Sequence, residues 1–101
     1  MGNRIDLHNK FVEILESKNV YYQPPESQKM EYTAIKYSLN DVESRYANNA
    51  KYSLFNRYDV IVIGRLPNDK IIQKLLELPY SSFDRHYVSD GLNHDLLTIY
   101  F

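Results

Sequence analysis

The stretch YSLFNRYDVIVI, residues 52–63, is the most strongly β-forming part of the sequence and decides the fold. Aromatic and β-branched residues, which favour strands, fill most of it. Its first half alternates apolar and polar residues, whereas residues 60–63 are apolar at every position. A strand that is apolar on both sides is typical of the middle of a sheet covered on each face. We therefore expect the core of a sheet to run through this stretch.

The C-terminal residues predict a β-hairpin. Two β-prone runs, SFDRHYVS at 82–89 and NHDLLTIYF at 93–101, lie on either side of Asp90-Gly91. Asp-Gly favours the tight type I′ turn, because both central residues of that turn need a positive φ. Directly opposed residues of a hairpin share one face of the sheet. A two-residue turn would pair Ser89 with Leu92, Tyr87 with His94, and His86 with Asp95.

The N-terminal residues predict an amphipathic helix and a short strand. Asn3 is a good N-cap, and the helix would end around Lys18 or Asn19. Residues 20–22 then predict a strand, which Pro24 and Pro25 stop because proline donates no backbone hydrogen bond. The apolar residues of the helix recur at helical spacing: Leu7, Phe11, Ile14 and Leu15.

A second helix is predicted after residues 52–63. It would begin at Asn68 and Asp69, run through KIIQKLLEL at 70–78, and close at Pro79. Its apolar residues also share one face: Ile71, Ile72, Leu75 and Leu76.

Residues 31–38 predict another strand, and residues 39–51 predict a long exposed loop. The loop sequence LNDVESRYANNAK is polar and rich in asparagine, and Asn40 and Glu43 have the spacing of a capping box for one helical turn. Long polar loops commonly carry binding contacts. Val42 and Tyr46 are the sizeable apolar residues that this loop could present to a partner.

Together these elements predict one α+β domain over residues 1–101, in the order α-β-β-loop-β-α-β-β. A mainly antiparallel sheet packed by two helices is the expected architecture. Val60 and Val62 are expected on the face of the sheet opposite the main core. The expected core consists of Leu7, Phe11, Leu15, Ile61, Ile63, Ile72, Leu75 and Leu76.

The composition argues against several function classes. With 12 basic and 13 acidic side chains, the chain has no excess of positive charge to bind nucleic acid. It has no cysteine for disulfides or thiolate zinc sites, and three glycines do not form a phosphate-binding loop. No apolar run is long enough to cross a membrane, and the N-terminus has no secretory signal. We expect a cytosolic protein, unless it leaves the cell in a particle.

Ten tyrosines are the unusual feature of the composition. Tyrosine has an apolar ring and a polar tip, which suits a surface that becomes half-buried in an assembly. Tyrosine also has a high strand propensity, so the excess equally fits β structure alone. Both interpretations stay open from the sequence.

Histidines and carboxylates near the C-terminal turn are the candidate catalytic or metal-binding residues. A metal-dependent hydrolase using His86, His94 and nearby aspartates is one hypothesis, because imidazole and carboxylate are common metal ligands. The predicted hairpin register places His86 and His94 on opposite faces, and it favours a structural pair between His86 and Asp95. We therefore predict no catalytic residue, no metal and no cofactor.

Five segments that cover nearly the whole chain carry a resemblance to known proteins. They are YYQPP at 21–25, MEY at 30–32 leading to Ala34-Ile35, YANN at 46–49, YDVIVI at 58–63, and FDRHY at 83–87 with Asp90, Leu92, Asn93, His94 and Asp95. In these segments the chain resembles one family of small bacteriophage proteins of the head–tail connection, and none of the segments is a catalytic signature. Thr33 stands where proline is usual in that family, and Gly64 and Gly91 stand where polar residues are usual.

The resemblance implies a tail terminator or tail completion protein, whose copies form a ring, usually hexameric, at the head-proximal end of the tail tube. Its partners would be its own copies, the tail tube and the head-closure or neck proteins. The protein would be assembled in the bacterial cytoplasm and reside in the virion. The alternative is a small cytosolic protein-binding or regulatory domain. The candidate interface residues are Tyr22, Pro24, Pro25, Val42, Tyr46, Asn48, Asn49, Asp84 and Arg85.

Overall fold

The structure, a computed structural model, describes the backbone of residues 3–47 and 50–101 and the side chains of residues 3–40 and 56–101. The strands form one sheet in the order β1-β2-β3-β5-β4, antiparallel except for the β1–β2 pair. The predicted α+β architecture is confirmed, and the helices and strands follow the predicted order, although the predicted loop at residues 39–51 is not present as such. Within the described residues, the elements are α1 (Arg4–Leu15), β1 (Val20–Tyr22), β2 (Ala34–Ala47), β3 (Ala50–Gly64), α2 (Asp69–Leu76), β4 (Ser81–Ser89) and β5 (Leu92–Tyr100).

Strand β3 lies at the centre of the sheet, as its sequence predicts. It pairs with β2 on one side and, from Arg57 to Gly64, with β5 on the other. The face that was assigned to Val60 and Val62 is wrong, however. Both residues are fully buried in the cluster that also contains apolar residues of α1 and α2, so they face the helices. The buried cluster consists of Leu7, Phe11, Val20, Ile35, Tyr37, Tyr58, Val60, Val62, Leu75, Leu97 and Ile99.

Both helices therefore pack on the same face of the sheet, and the expectation of cover on each face is wrong. Ile61 lies on the opposite face and is only half-buried. Ile63 is on that face too and keeps 5% exposure, between Ala34 and His94 of the neighbouring strands. Four consecutive apolar residues do not identify the covered face, because successive strand residues point to opposite sides.

The helices are shorter than predicted. Helix α1 ends at Leu15, because Glu16 adopts the left-handed conformation with a φ of 57° and its backbone N–H caps the Val12 carbonyl. The N-cap at Asn3 is confirmed, since the Asn3 side chain accepts a hydrogen bond from the Asp6 backbone at 2.9 Å. Helix α2 ends at Leu76, whose side chain is 41% exposed and does not join the core.

Residues 39–51 do not form the predicted loop. Residues 39–47 continue β2, and residues 50 and 51 begin β3, with Ala47 opposite Ala50. The helical turn expected at Asn40 and Glu43 is absent from the described backbone, where Glu43 lies opposite Phe55. Low strand propensity of the asparagines suggested a loop, but pairing with β3 overrides local propensity. Asn48 and Asn49 lie outside the described residues.

The terminal hairpin has the predicted register. Asp90 and Gly91 have positive φ angles of 53° and 73°, as a type I′ turn requires. Ser89 lies opposite Leu92, Tyr87 opposite His94, and His86 opposite Asp95. His86 and His94 therefore point to opposite faces of the sheet, as predicted.

An aromatic and cationic cluster fixes α1 to β1 and β2. The buried Tyr37 ring packs on Phe11 and Tyr22, with centroids 5.0 and 4.9 Å away. Its hydroxyl lies 2.7 Å from His8 Nδ1 and 3.4 Å from an Arg4 guanidinium nitrogen. Burial and the Arg4 charge lower the pKa of His8, and burial raises the pKa of Tyr37. In the neutral tautomer with its proton on Nε2, His8 accepts from the Tyr37 hydroxyl at Nδ1, which satisfies this buried polar group.

Truncation of Leu75 tests the position of the core. We expect Leu75→Ala to lower the free energy of unfolding by about 2–5 kcal/mol, because the side chain is fully buried against the sheet. Leu76→Ala is the matched control on the same helix, and its loss should be clearly smaller because Leu76 is exposed. Urea denaturation of both variants measures the difference. Equal losses would mean that the buried face of α2 is assigned incorrectly.

Candidate functional site

The face of the sheet opposite the helices, here called the open face, is one candidate interaction surface. Its middle is apolar, with Ile61 and Leu96 half-buried side by side on β3 and β5. Lys36 on β2 and Arg85 on β4 lie at the two ends of this cross-strand row. Neither α1 nor α2 covers the row, so an apolar strip flanked by two cations remains accessible.

Next to this row, β4 and β5 carry a stacked group on the open face. The rings of Tyr87 and His94 are nearly parallel, with centroids 4.7 Å apart and an interplanar angle of 7°. The Arg85 guanidinium lies 5.3 Å from the Tyr87 ring centroid, within cation–π range. His94 Nδ1 lies 3.0 Å from the Leu92 carbonyl, to which it donates when protonated at that nitrogen. The group holds Arg85 and Tyr87 at the sheet edge in a defined orientation.

Strand β4 has a β-bulge at Asp84, between Phe83 and Arg85. The register with β5 shifts by one residue at this point. The Thr98 hydroxyl donates to an Asp84 carboxylate oxygen at 2.7 Å. Asp84 therefore has a partner within its own chain, whereas Arg85 stays exposed.

A buried polar group lies on the helix side of the same hairpin. Asp95 is 4% exposed, and its two carboxylate oxygens contact His86 Nδ1 at 2.7 Å and the Asn68 side-chain amide at 3.0 Å. The predicted pair of His86 and Asp95 is thus confirmed. Asn68 was expected only at the start of the second helix; its side chain makes no cap bond and instead binds Asp95. Both oxygens of the buried carboxylate are satisfied, which is the requirement for burying it.

At the other edge of the sheet, β1 ends at Tyr22, and Pro24 and Pro25 follow shortly after it. The Tyr22 ring is half-buried between Tyr37 and the Arg4 guanidinium, which lies 4.4 Å from its centroid. Gln23 then closes this edge, since its backbone N–H binds the Tyr37 carbonyl and its side chain accepts from the Leu39 backbone. Pro24 is half-buried and Pro25 is exposed.

The predicted interface residues do not form one site. Tyr22, Pro24 and Pro25 lie by β1, whereas Asp84 and Arg85 lie on β4 at the opposite edge of the sheet. Val42 and Tyr46 lie in β2, and only their backbone is described. Asn48 and Asn49 lie outside the described residues altogether. The open face was not predicted from the sequence, because the apolar run of β3 was expected to be covered on both sides.

No protein-family model matches the sequence, and no curated protein sequence is significantly similar to it. Across the described residues, no three His, Asp or Glu side chains are close enough together to hold a metal ion. In the same part of the chain, neither helix has the length and apolar character needed to cross a membrane.

A double substitution tests the assignment of the two histidines. We expect His86→Gln combined with His94→Gln to keep any assembly and to change stability only modestly, because glutamine at 86 can still donate to Asp95. Elemental analysis of the wild-type and double-variant proteins is the measurement. Stoichiometric zinc or manganese that disappears in the double variant would contradict the structural assignment and favour the metal-dependent hydrolase.

Proposed function

We propose that the protein is a structural subunit of the bacteriophage head–tail connection, a tail terminator whose copies form a ring at the head-proximal end of the tail tube. The observation that carries this proposal is the arm, defined as residues 40–47 of β2 and 50–55 of β3. Residues 43–47 pair only with residues 50–55 in the described backbone, and Asp41 and Val42 pair only with Arg57 and Asn56 of β3. On the outer sides of the two strands, β1 and Gln23 reach β2 no further than Leu39, and β5 pairs with β3 from Arg57.

The arm is long relative to the rest of the fold. Eight residues of β2 beyond Leu39 extend for roughly 26 Å at about 3.3 Å per residue. The protein measures 51 × 27 × 23 Å, so one dimension is about twice the others. A two-stranded hairpin on its own is marginally stable in water, and pairing or packing with a further surface is what normally stabilises it. A neighbouring subunit would supply that surface.

The remaining surfaces fit assembly better than catalysis. The open face offers an apolar strip between Lys36 and Arg85, and such a strip with a polar rim is typical of interaction sites. The candidate interface residues lie at opposite edges of the sheet, and a closed ring needs two different complementary patches on each subunit. The resemblance of the sequence to the tail terminator family supports the same function. In that role the subunit would meet the tail tube and the neck proteins in the virion, after synthesis in the bacterial cytoplasm.

The solution mass tests the proposal directly. A ring of six copies of the 12.0 kDa chain would have a mass of about 72 kDa by light scattering. Where the isolated subunit stays monomeric, electron microscopy of a mixture with isolated tail tubes should show the protein at one end of each tube. A monomer or dimer that binds no tube would contradict the proposal and favour a small regulatory or binding domain.

Substitutions in the arm test whether it makes the contact. We expect Val42→Ser combined with Tyr46→Ser to weaken ring formation or tube binding while barely changing the thermal midpoint of the monomer. The reason is that β1 pairs with β2 no further than Tyr37, so neither position has a strand on its outer side; Val42 lies opposite Asn56 and Tyr46 opposite Lys51. Calorimetry of the monomer and the assembly assay measure the two effects. A large loss of monomer stability would show instead that these residues belong to the core of the fold.

A further inference from the structure

A cleft on the helix side of the terminal hairpin has an apolar lining. It lies between α2 and β4 and has a volume of about 450 Å³. Pro67, Ile72 and Phe83 line it with apolar groups, and Phe83 is 43% exposed. A ligand that covers such side chains removes apolar surface from water, which favours binding. The cleft therefore offers a place for the apolar part of a bound group.

Further exposed apolar side chains adjoin this cleft. Leu66, which is 76% exposed, directly precedes the proline of the lining. Val88, which is 62% exposed, lies on the same face of β4 as His86, another lining residue. Leu76 is exposed as well and follows Ile72 by one helical turn on α2. A cleft bordered by exposed apolar residues is typical of a contact with another protein.

Two hydrogen-bond acceptors share the cleft with these apolar groups. The Asp69 carboxylate is exposed, and it forms no ion pair with any residue that the structure describes. His86 Nδ1 lies 2.7 Å from a carboxylate oxygen of Asp95. An ionised carboxylate only accepts hydrogen bonds, so Nδ1 carries the proton of the neutral ring and Nε2 is an acceptor. Asp95 therefore fixes the tautomer of His86 as well as its position.

The charge of the cleft is negative. Among the described residues that line it, Asp69 and Asp95 are carboxylates, and there is neither lysine nor arginine. Lys70 and Lys74 of α2 instead line the groove on the α1 side of this helix. A group that complements the cleft therefore donates hydrogen bonds and carries positive charge.

We propose that this cleft binds an arginine side chain of a partner protein. The aliphatic stem of arginine packs on apolar surface, here Ile72 and Phe83, while the guanidinium keeps its polar contacts. The guanidinium has donors on three nitrogens, so one group can serve acceptors on two walls of a cleft, here Asp69 and His86. The exposed apolar side chains around the cleft would contact the residues that flank the arginine. This binding does not depend on the proposed ring.

Titration with a single-residue probe tests the site in the wild-type protein. Nα-acetyl-arginine N-methylamide carries the arginine side chain without charges on its main chain, and its citrulline analogue has the same shape without the positive charge. We expect the arginine probe to shift the NMR amide resonances of Asp69 and His86, with a dissociation constant on the order of 1 mM. The citrulline probe should bind about threefold more weakly or worse. Equal binding of the two probes, absent shifts, or shifts centred on another acidic surface would overturn the site.

Removal of one carboxylate tests the role of Asp69. We expect Asp69→Asn to weaken binding of the arginine probe by about threefold to tenfold, because it removes the charge that the guanidinium meets. Asp6→Asn is the matched control, since Asp6 is also an exposed acid in the first turn of a helix but does not line the cleft. Thermal midpoints check that both variants fold. Unchanged probe affinity in Asp69→Asn, or an equal loss in Asp6→Asn, would contradict the proposal.

A short peptide tests whether the ligand is a protein segment or free arginine. We expect acetyl-Ser-Leu-Arg-Leu-Ser-amide to bind about threefold or more tightly than the single-residue probe, because its leucines meet the apolar side chains around the cleft. Val88→Ser should reduce this gain and leave the affinity for the single-residue probe unchanged. A peptide that binds no better than the single-residue probe overturns the protein partner. All of these titrations use the isolated chain, so failure of the ring leaves their outcome unaffected, and failure of this site leaves the ring untouched.

Discussion

The described structure depends on the helix-facing side of β3. Tyr58, Val60 and Val62 lie there side by side with buried residues of β2 and β5, and Leu75 of α2 packs in the same cluster. Every described element joins the fold through this cluster or by pairing with a strand that contributes to it. Because both helices pack on this side of β3, its other side has no helix. The fold therefore has one core and one open face.

Two buried polar groups, of Tyr37 and Asp95, lie on the helix-facing side of the sheet. Tyr37 has its hydroxyl satisfied by His8 and Arg4, and Asp95 has both oxygens satisfied by His86 and Asn68. Each set joins different elements: the first joins α1 to β2, and the second joins β4 and β5 to the start of α2. Buried polar groups with a full set of partners restrict the register and orientation of the elements that carry them.

Local signals in the sequence predict the elements of this fold well. The N-cap at Asn3 and the Asp90-Gly91 turn each depend on one or two residues with a specific backbone requirement, and both are confirmed. The assignment of the face of β3 and the extension of β2 through residues 39–47 are not local. The face of β3 that is covered depends on the side of the sheet on which the two helices pack. The polar residues 39–47 form a strand only because β3 is there to pair with them. For the candidate interface, the sequence identifies residues on both edges, but their separation follows from the strand order alone.

The two edges of the sheet are unequal, and this inequality restricts how copies can associate. Strand β1 covers three residues of β2 and leaves the arm edge open, whereas β4 offers nine residues at the other side. A two-fold contact of β4 with β4 would use one kind of edge and leave both arms unpaired. A head-to-tail contact between unlike edges uses both kinds at every subunit, and repeated by rotation it must either close or grow without limit. The proposed ring is the closed case, in which no edge of this kind is left to continue the array.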